Sequence, residues 1–120
     1  MNHGELTNII GVEPTLVWFK GDDTLQGTHV KKKETGWEYS TGFRPTFLVD
    51  EIVSEVYQLL KPSSKELSKY LQEHDLKLKF FVVIEMTNDI KPGLYFSAKF
   101  IQLAAELNAP VDIDLYSIND

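Results

Sequence analysis

Apolar and polar positions alternate most regularly between Leu76 and Met86. There Leu76, Leu78, Phe80, Val82, Ile84 and Met86 form an unbroken apolar row at period two, with Lys77, Lys79, Phe81, Val83 and Glu85 between them. Such a row predicts a strand with one face fully buried. The other face is charged at its ends and apolar in the middle, so it is either partly covered or held open for a partner.

On either side of this strand the pattern predicts further elements. Glu5 to Ile10 reads as a short helix with Leu6, Ile9 and Ile10 on one side, ended by Gly11 where a left-handed residue is favoured. Pro14 forces an extended start. Thr15 to Lys20, rich in β-branched and aromatic residues, is predicted as a strand closed by the turn Gly21-Asp22-Asp23. His29 to Lys33 and Trp37 to Thr41 flank the link Glu34-Thr35-Gly36, which predicts a hairpin with Trp37 and Tyr39 on one face.

From Leu48 the period changes to about 3.6, with Leu48, Ile52, Val56 and Leu59 on one stripe broadened by Val53 and Leu60, the pattern of an amphipathic helix. Pro62 stops it. Ser63 and Glu66 have the spacing of a capping box that opens another helix, carrying Leu67, Tyr70 and Leu71 inward. A polar loop from Thr87 to Gly93 leads to a short strand, Leu94 to Phe96. Ser97 then caps a helix bearing Phe100, Leu103, Ala104 and Leu107, which ends at Asn108 before Pro110. In the last strand Val111, Ile113 and Leu115 should be buried and Asp112, Asp114 and Tyr116 polar. A strand, a helix and a strand in this order predict a right-handed crossover, with Leu94 to Phe96 parallel to Val111 to Tyr116 and Leu76 to Met86 between them. The expected fold class is α+β. A twisted mixed, mainly antiparallel sheet carries helices packed on one face and ends in a C-terminal strand-strand-helix-strand unit, all within a single domain spanning residues 1–120.

Composition narrows the chemistry. The 120 residues fit one domain, and no apolar run reaches the roughly 20 residues that span a bilayer. The N-terminus lacks the basic start and apolar core of a signal peptide, so the cytoplasm is the expected compartment and no membrane contact is expected. Zero cysteines exclude disulfides, thiol nucleophiles and thiolate-bound metals. A formal net charge of −6 speaks against nucleic acid as a partner, because phosphate neutralisation needs clustered Lys and Arg. Lys31-Lys32-Lys33 is the one basic cluster and reads as a lysine-protected edge.

No catalytic constellation is legible. Asp112 and Asp114 share a strand face, but a cation site needs further oxygen ligands that the sequence does not supply, so neither a metal nor a cofactor is expected. Asp22 and Asp23 are better explained as a turn. His3, His29 and His74 lack ligand spacing, and Ser40, Ser97 and Ser117 lack a GxSxG context. The aromatics are more informative. Trp18, Phe19, Trp37 and Tyr39 fall in the N-terminal strands, and Phe81, Tyr95 and Tyr116 are predicted to share the uncovered sheet face. Lys77 and Lys79 are there offset by Glu85, Asp112 and Asp114, a mixture that suits a protein partner better than a nucleic acid.

Over nearly its whole length the chain resembles family 4279 of the bacterial domains of unknown function. The resemblance rests on LTNIIGVEPTLVWFKGD, TGWEYSTG and LYFSAKFIQLAAELNAPVDIDLY, and most specifically on Glu13-Pro14-Thr15, Trp18, Lys20, Gly21, Gly36-Trp37, Asp112-Ile113-Asp114 and Tyr116. It implies a small α+β domain of bacterial origin, of the kind found as immunity or accessory proteins, and no established activity. Similar members usually have a further strand before the first helix, whereas this chain begins at the helix, so either that strand is absent or the native start lies upstream. That absence would leave an unpaired sheet edge and raises the expectation of a homodimer through it.

These readings converge on a non-enzymatic protein-interaction module, binding a protein partner through the open sheet face or the aromatic N-terminal hairpin. The candidate contacts are Trp18, Lys20, Trp37, Tyr39, Asp112 and Asp114. The alternative is a small-ligand-binding protein or unrecognised enzyme, using a pocket near Trp18, Lys20 and the Asp112 and Asp114 pair.

Overall fold

The first helix begins where Asn2 caps it. The computed structural model describes residues 1–24, 30–45, 48–87 and 93–118. In α1 (His3–Ile10) the Asn2 side chain accepts from the Glu5 N–H at 3.1 Å, so the helix starts two residues earlier than its apolar pattern indicates. Gly11 closes it at φ 86, donating its N–H to the Thr7 carbonyl at 2.8 Å. Leu6 and Ile10 are buried.

The chain then forms a two-stranded antiparallel sheet from β1 (Leu16–Trp18) and β2 (Gly36–Glu38), in the register Leu16 opposite Glu38, Val17 opposite Trp37 and Trp18 opposite Gly36. The expected hairpin between residues 29–33 and 37–41 does not form; His29 lies outside the described residues. Val30 to Lys33 instead folds back on the Gly21-Asp22-Asp23 turn. The Lys32 N–H donates to the Asp22 carbonyl at 2.7 Å, and the Gly21 N–H donates to the Lys32 carbonyl at 2.9 Å. Asp22 fixes that turn by accepting the Phe19 N–H at 2.7 Å. The physical reason is local saturation: residues 30–33 spend their pairing on the turn, which leaves β2 to pair with β1.

The chain divides into two compact units, Met1–Gly42 and Phe43–Asp120. The second unit opens with α2 (Val49–Leu60), whose buried stripe is Val49, Val53 and Leu60. The expected stripe through Leu48 is thus displaced: Leu48 is exposed and precedes the helix, while Ile52, Val56 and Leu59 flank the stripe half-buried. A single 3-10 turn, Lys61–Ser63, with Pro62 in its first turn where a missing N–H costs nothing, leads directly into α3 (Ser64–Glu73). The expected Ser63 and Glu66 capping box is not made, because Ser63 sits at ψ 14 instead of the extended conformation that a cap requires. Leu67, Tyr70 and Leu71 are buried, as the pattern predicts. Ser64 and Ser68 donate to the Glu106 side chain and carbonyl at 3.1 and 3.2 Å, tying α3 to α4 (Ala98–Glu106).

The strand β3 (Phe80–Thr87) is shorter than the apolar row that predicts it. It runs parallel to β4 (Val111–Ile118), Phe80 opposite Val111 and Thr87 opposite Ile118. Residues 76–79 continue the alternation of half-buried Leu76 and Leu78 but have no strand partner among the described residues: the Leu76 N–H donates to the Leu71 carbonyl at 2.8 Å, the Phe80 N–H donates to the Pro110 carbonyl at 3.0 Å, and Pro110 itself has no N–H to offer. Leu94 to Phe96 is not a strand; Gly93, just before it, makes a parallel bridge to Leu48. The crossover through α4 therefore starts from β3 itself.

Ser97 caps α4 as its sequence predicts, accepting from the Phe100 N–H at 3.2 Å, and Asn108 ends the segment at φ 52. Val49, Val53, Ile84 and Phe100 form a buried cluster, lined by Tyr57, Phe80, Val82, Met86, Phe96 and Val111. α2 and α4 thus cover the Phe80, Val82 and Ile84 face of β3. The fold is α+β, with one antiparallel and one parallel pair of strands in separate sheets among the described residues, in place of a single mainly antiparallel sheet.

Candidate functional site

Because α2 and α4 bind one face of β3, the alternate residues of both paired strands point away from the helices. In register these are Phe81 beside Asp112, Val83 beside Asp114, Glu85 beside Tyr116 and Thr87 beside Ile118. Phe81 is 61% exposed and Tyr116 53%. An aromatic left this open on a sheet forgoes the burial that normally recruits it to a core. Lys79 organises the near end: its Nζ lies 2.9 Å from Asp112 Oδ2 and 4.8 Å from the centre of the Phe81 ring. Lys79 stands two residues before Phe81, on the same face, a placement legible in the sequence. Asp112 is thereby partly neutralised, whereas Asp114 and Glu85 make no ion pair among the described residues.

The helix-side residues of β4 contradict their expected burial. Val111 is half-buried, but Ile113 and Leu115 are exposed, Leu115 to 54%. The helices cover β3 and reach β4 only at its start. β4 therefore presents apolar side chains on both faces, and its outer edge has no strand partner among the described residues. Tyr95 is exposed too, but it lies in irregular chain and not on the sheet, contrary to expectation.

The other candidates lie in the first unit and do not form one aromatic surface. Trp37 and Trp18 project from opposite faces of the β1–β2 ribbon. Trp37 is half-buried and donates its Nε1–H to Thr7 Oγ1 at 3.1 Å, an anchoring role on α1. Trp18 lies over Gly36, where an added Cβ would fall 2.1 Å from a ring carbon, and the Lys32 ammonium stands 4.6 Å from its ring. Lys20 is exposed, and its backbone N–H donates to Thr35 Oγ1 at 3.0 Å. Tyr39 is exposed just beyond β2. Asp112 and Asp114 belong to the second unit and share the open face, as their spacing predicts.

Among the described residues no cluster of three or more His, Asp or Glu side chains could hold a metal ion, and no helix is long and apolar enough to cross a membrane. Elsewhere on the second unit, the Arg44 guanidinium hydrogen-bonds both carboxylate oxygens of Glu55 and holds that carboxyl below its ordinary pKa, against a smaller opposing effect of burial.

A family model described as Domain of unknown function (DUF4279) matches residues 1–118. The chain belongs to the DUF4279 family. No curated protein and no solved structure matches it. The positions at which the sequence resembles the family fall in both units. Trp18, Gly21 and Gly36-Trp37 shape the first unit, through the ring over Gly36, the turn at Gly21 with φ 96 and the Trp37 anchor. Asp112, Asp114 and Tyr116 instead lie on the open face of β4.

Proposed function

We propose that this DUF4279 protein is a non-enzymatic binding module of immunity or accessory type, and that its protein partner docks on the β3–β4 face opposite the helices. The observation that carries this reading is the exposure of Phe81 and Tyr116 on that face, with Val83 and Ile118 in the same two rows. Aromatics surrounded by a few charges are the usual anchors of protein interfaces. The N-terminal aromatics support it less well, since Trp37 and Trp18 are engaged within their own unit. A photo-crosslinking amino acid at position 81, introduced in the cells that make the protein, tests it. A discrete adduct is expected from position 81 and none from position 69, an exposed site on α3. Equal or absent labelling from both positions removes this face from consideration.

A further inference from the structure

β4 pairs with β3 along all eight of its residues, and its other edge is open among the described residues. Such an edge offers a row of backbone N–H and C=O groups to any incoming strand, and proteins usually guard it with lysine, proline or a bulge. Val111 to Ile118 contains no lysine, arginine, proline or glycine; its charges are Asp112 and Asp114. Lys79 pairs with the first of these, which leaves Asp114 as the charge facing an arriving strand.

We propose that the β4 edge accepts an extended segment of a partner protein in which apolar and basic residues alternate, added as a third strand of the sheet. This rests on the β3–β4 binding surface inferred above and names the chemistry of its partner. Side chains of an added strand alternate between faces. Those on the helix side cover Ile113 and Leu115, both exposed and apolar. Those on the open side meet Asp114 and Tyr116, where a Lys or Arg gains an ion pair and an aromatic face together.

A second copy of the chain fits the same edge less well. In an antiparallel pairing about a two-fold axis perpendicular to the sheet, residues of the same face must oppose each other. Centring the axis on Asp114 sets that carboxylate against its own copy. Centring it on Leu115 sets Asp114 against Tyr116 and leaves the two Asp114 carboxylates as diagonal neighbours. Like charges at these positions disfavour a strand pair, and each chain carries a net charge of −6. A basic segment removes both objections.

The test uses the full chain and a capped heptapeptide of alternating valine and lysine, with fluorescence anisotropy as the readout. The lysine peptide should bind saturably, and a peptide with glutamate in place of lysine should bind at least about tenfold more weakly. Two lysine peptides N-methylated on alternate backbone nitrogens, one for each edge, separate strand addition from mere charge attraction: at least one should lose binding. Asp114→Lys should reverse the preference between lysine and glutamate peptides. Absent binding, equal binding of the two peptides, or binding indifferent to both N-methylations overturns the proposal. So does a sedimenting dimer that competes with the peptide, which would give the edge to a second copy. If a crosslinker at position 81 captures a protein while the peptides fail, strand addition falls and the face survives. If the peptides bind with the stated selectivity while position 81 captures nothing, the edge site stands and the face falls.

Discussion

Gly36→Ala isolates the packing of Trp18. An ideal Cβ at Gly36 would lie 2.1, 2.2 and 2.8 Å from three atoms of the indole, against the 3.5 to 4.0 Å of ordinary carbon contact. No rotation of a methyl group relieves that overlap, so the ring must swing off the strand. The backbone is not the obstacle, since Gly36 is not among the positive-φ glycines. Losing the contact with Lys32 costs about 0.5–1 kcal/mol, and the forced rearrangement brings the total to about 1–3 kcal/mol. In a Trp18→Ala background the overlap is gone. There the same substitution should be neutral or stabilising by about 0.4–1 kcal/mol, because alanine restricts the unfolded chain. Urea denaturation followed by tryptophan emission reads both cases, as both tryptophans lie in the first unit and Trp37 remains in the second background. An equal loss in the two backgrounds would refute the argument, since the cost would then not come from the ring.

Three further outcomes follow from the packing and the charges. Ser97→Ala should cost about 1 kcal/mol by removing the cap on the Phe100 N–H, with Thr in its place retaining part of that, measured by chemical denaturation. Leu67→Ala removes one of the most deeply buried side chains and should cost roughly 3 kcal/mol in the same assay. The Glu55 carboxyl has a lowered pKa in the folded state. Its contribution is therefore present above the ordinary glutamate value of about 4.3 and lost as the pH falls through the lowered folded value. Glu55→Gln should flatten that acid limb of the thermal midpoint between pH 7 and pH 3, whereas an unchanged profile would detach the limb from the Arg44 pair.

The helices were legible because their determinants are local. Ser97 supplies a side-chain acceptor, Gly11 a left-handed φ, and Leu67, Tyr70 and Leu71 a stripe at helical spacing, all readable within a dozen residues. Where a neighbour decides, the pattern misleads. The Ser63 and Glu66 spacing is that of a capping box, yet the 3-10 turn that contains Pro62 carries the chain into α3 without the extended residue a cap needs. Strand pairing depends on residues far apart, so a strand from Trp37 to Thr41 could be expected and still be paired with His29 to Lys33, whereas the strand is Gly36–Glu38 and its partner Leu16–Trp18. The apolar alternation of β4 predicts its strand correctly, but not its burial. Ile113 and Leu115 are exposed because the helices stop short of the sheet edge, a fact about the breadth of two helices that no residue of β4 encodes. The candidate site was half legible: Phe81, Asp112, Asp114 and Tyr116 share a face as their period predicts, while Trp18 and Trp37 lie on opposite faces of the β1–β2 ribbon, each in contact with its own unit.

The central claim, that the β3–β4 face is kept for a partner and is not core, is tested most directly by the unfolding free energy of Phe81→Ser in the isolated chain. With Phe81 61% exposed, the substitution should change stability by no more than about 1 kcal/mol, the loss of the Lys79 contact included. A loss of about 3 kcal/mol or more, the cost of emptying a buried phenylalanine site, would mean that the face is already packed and has no partner to await.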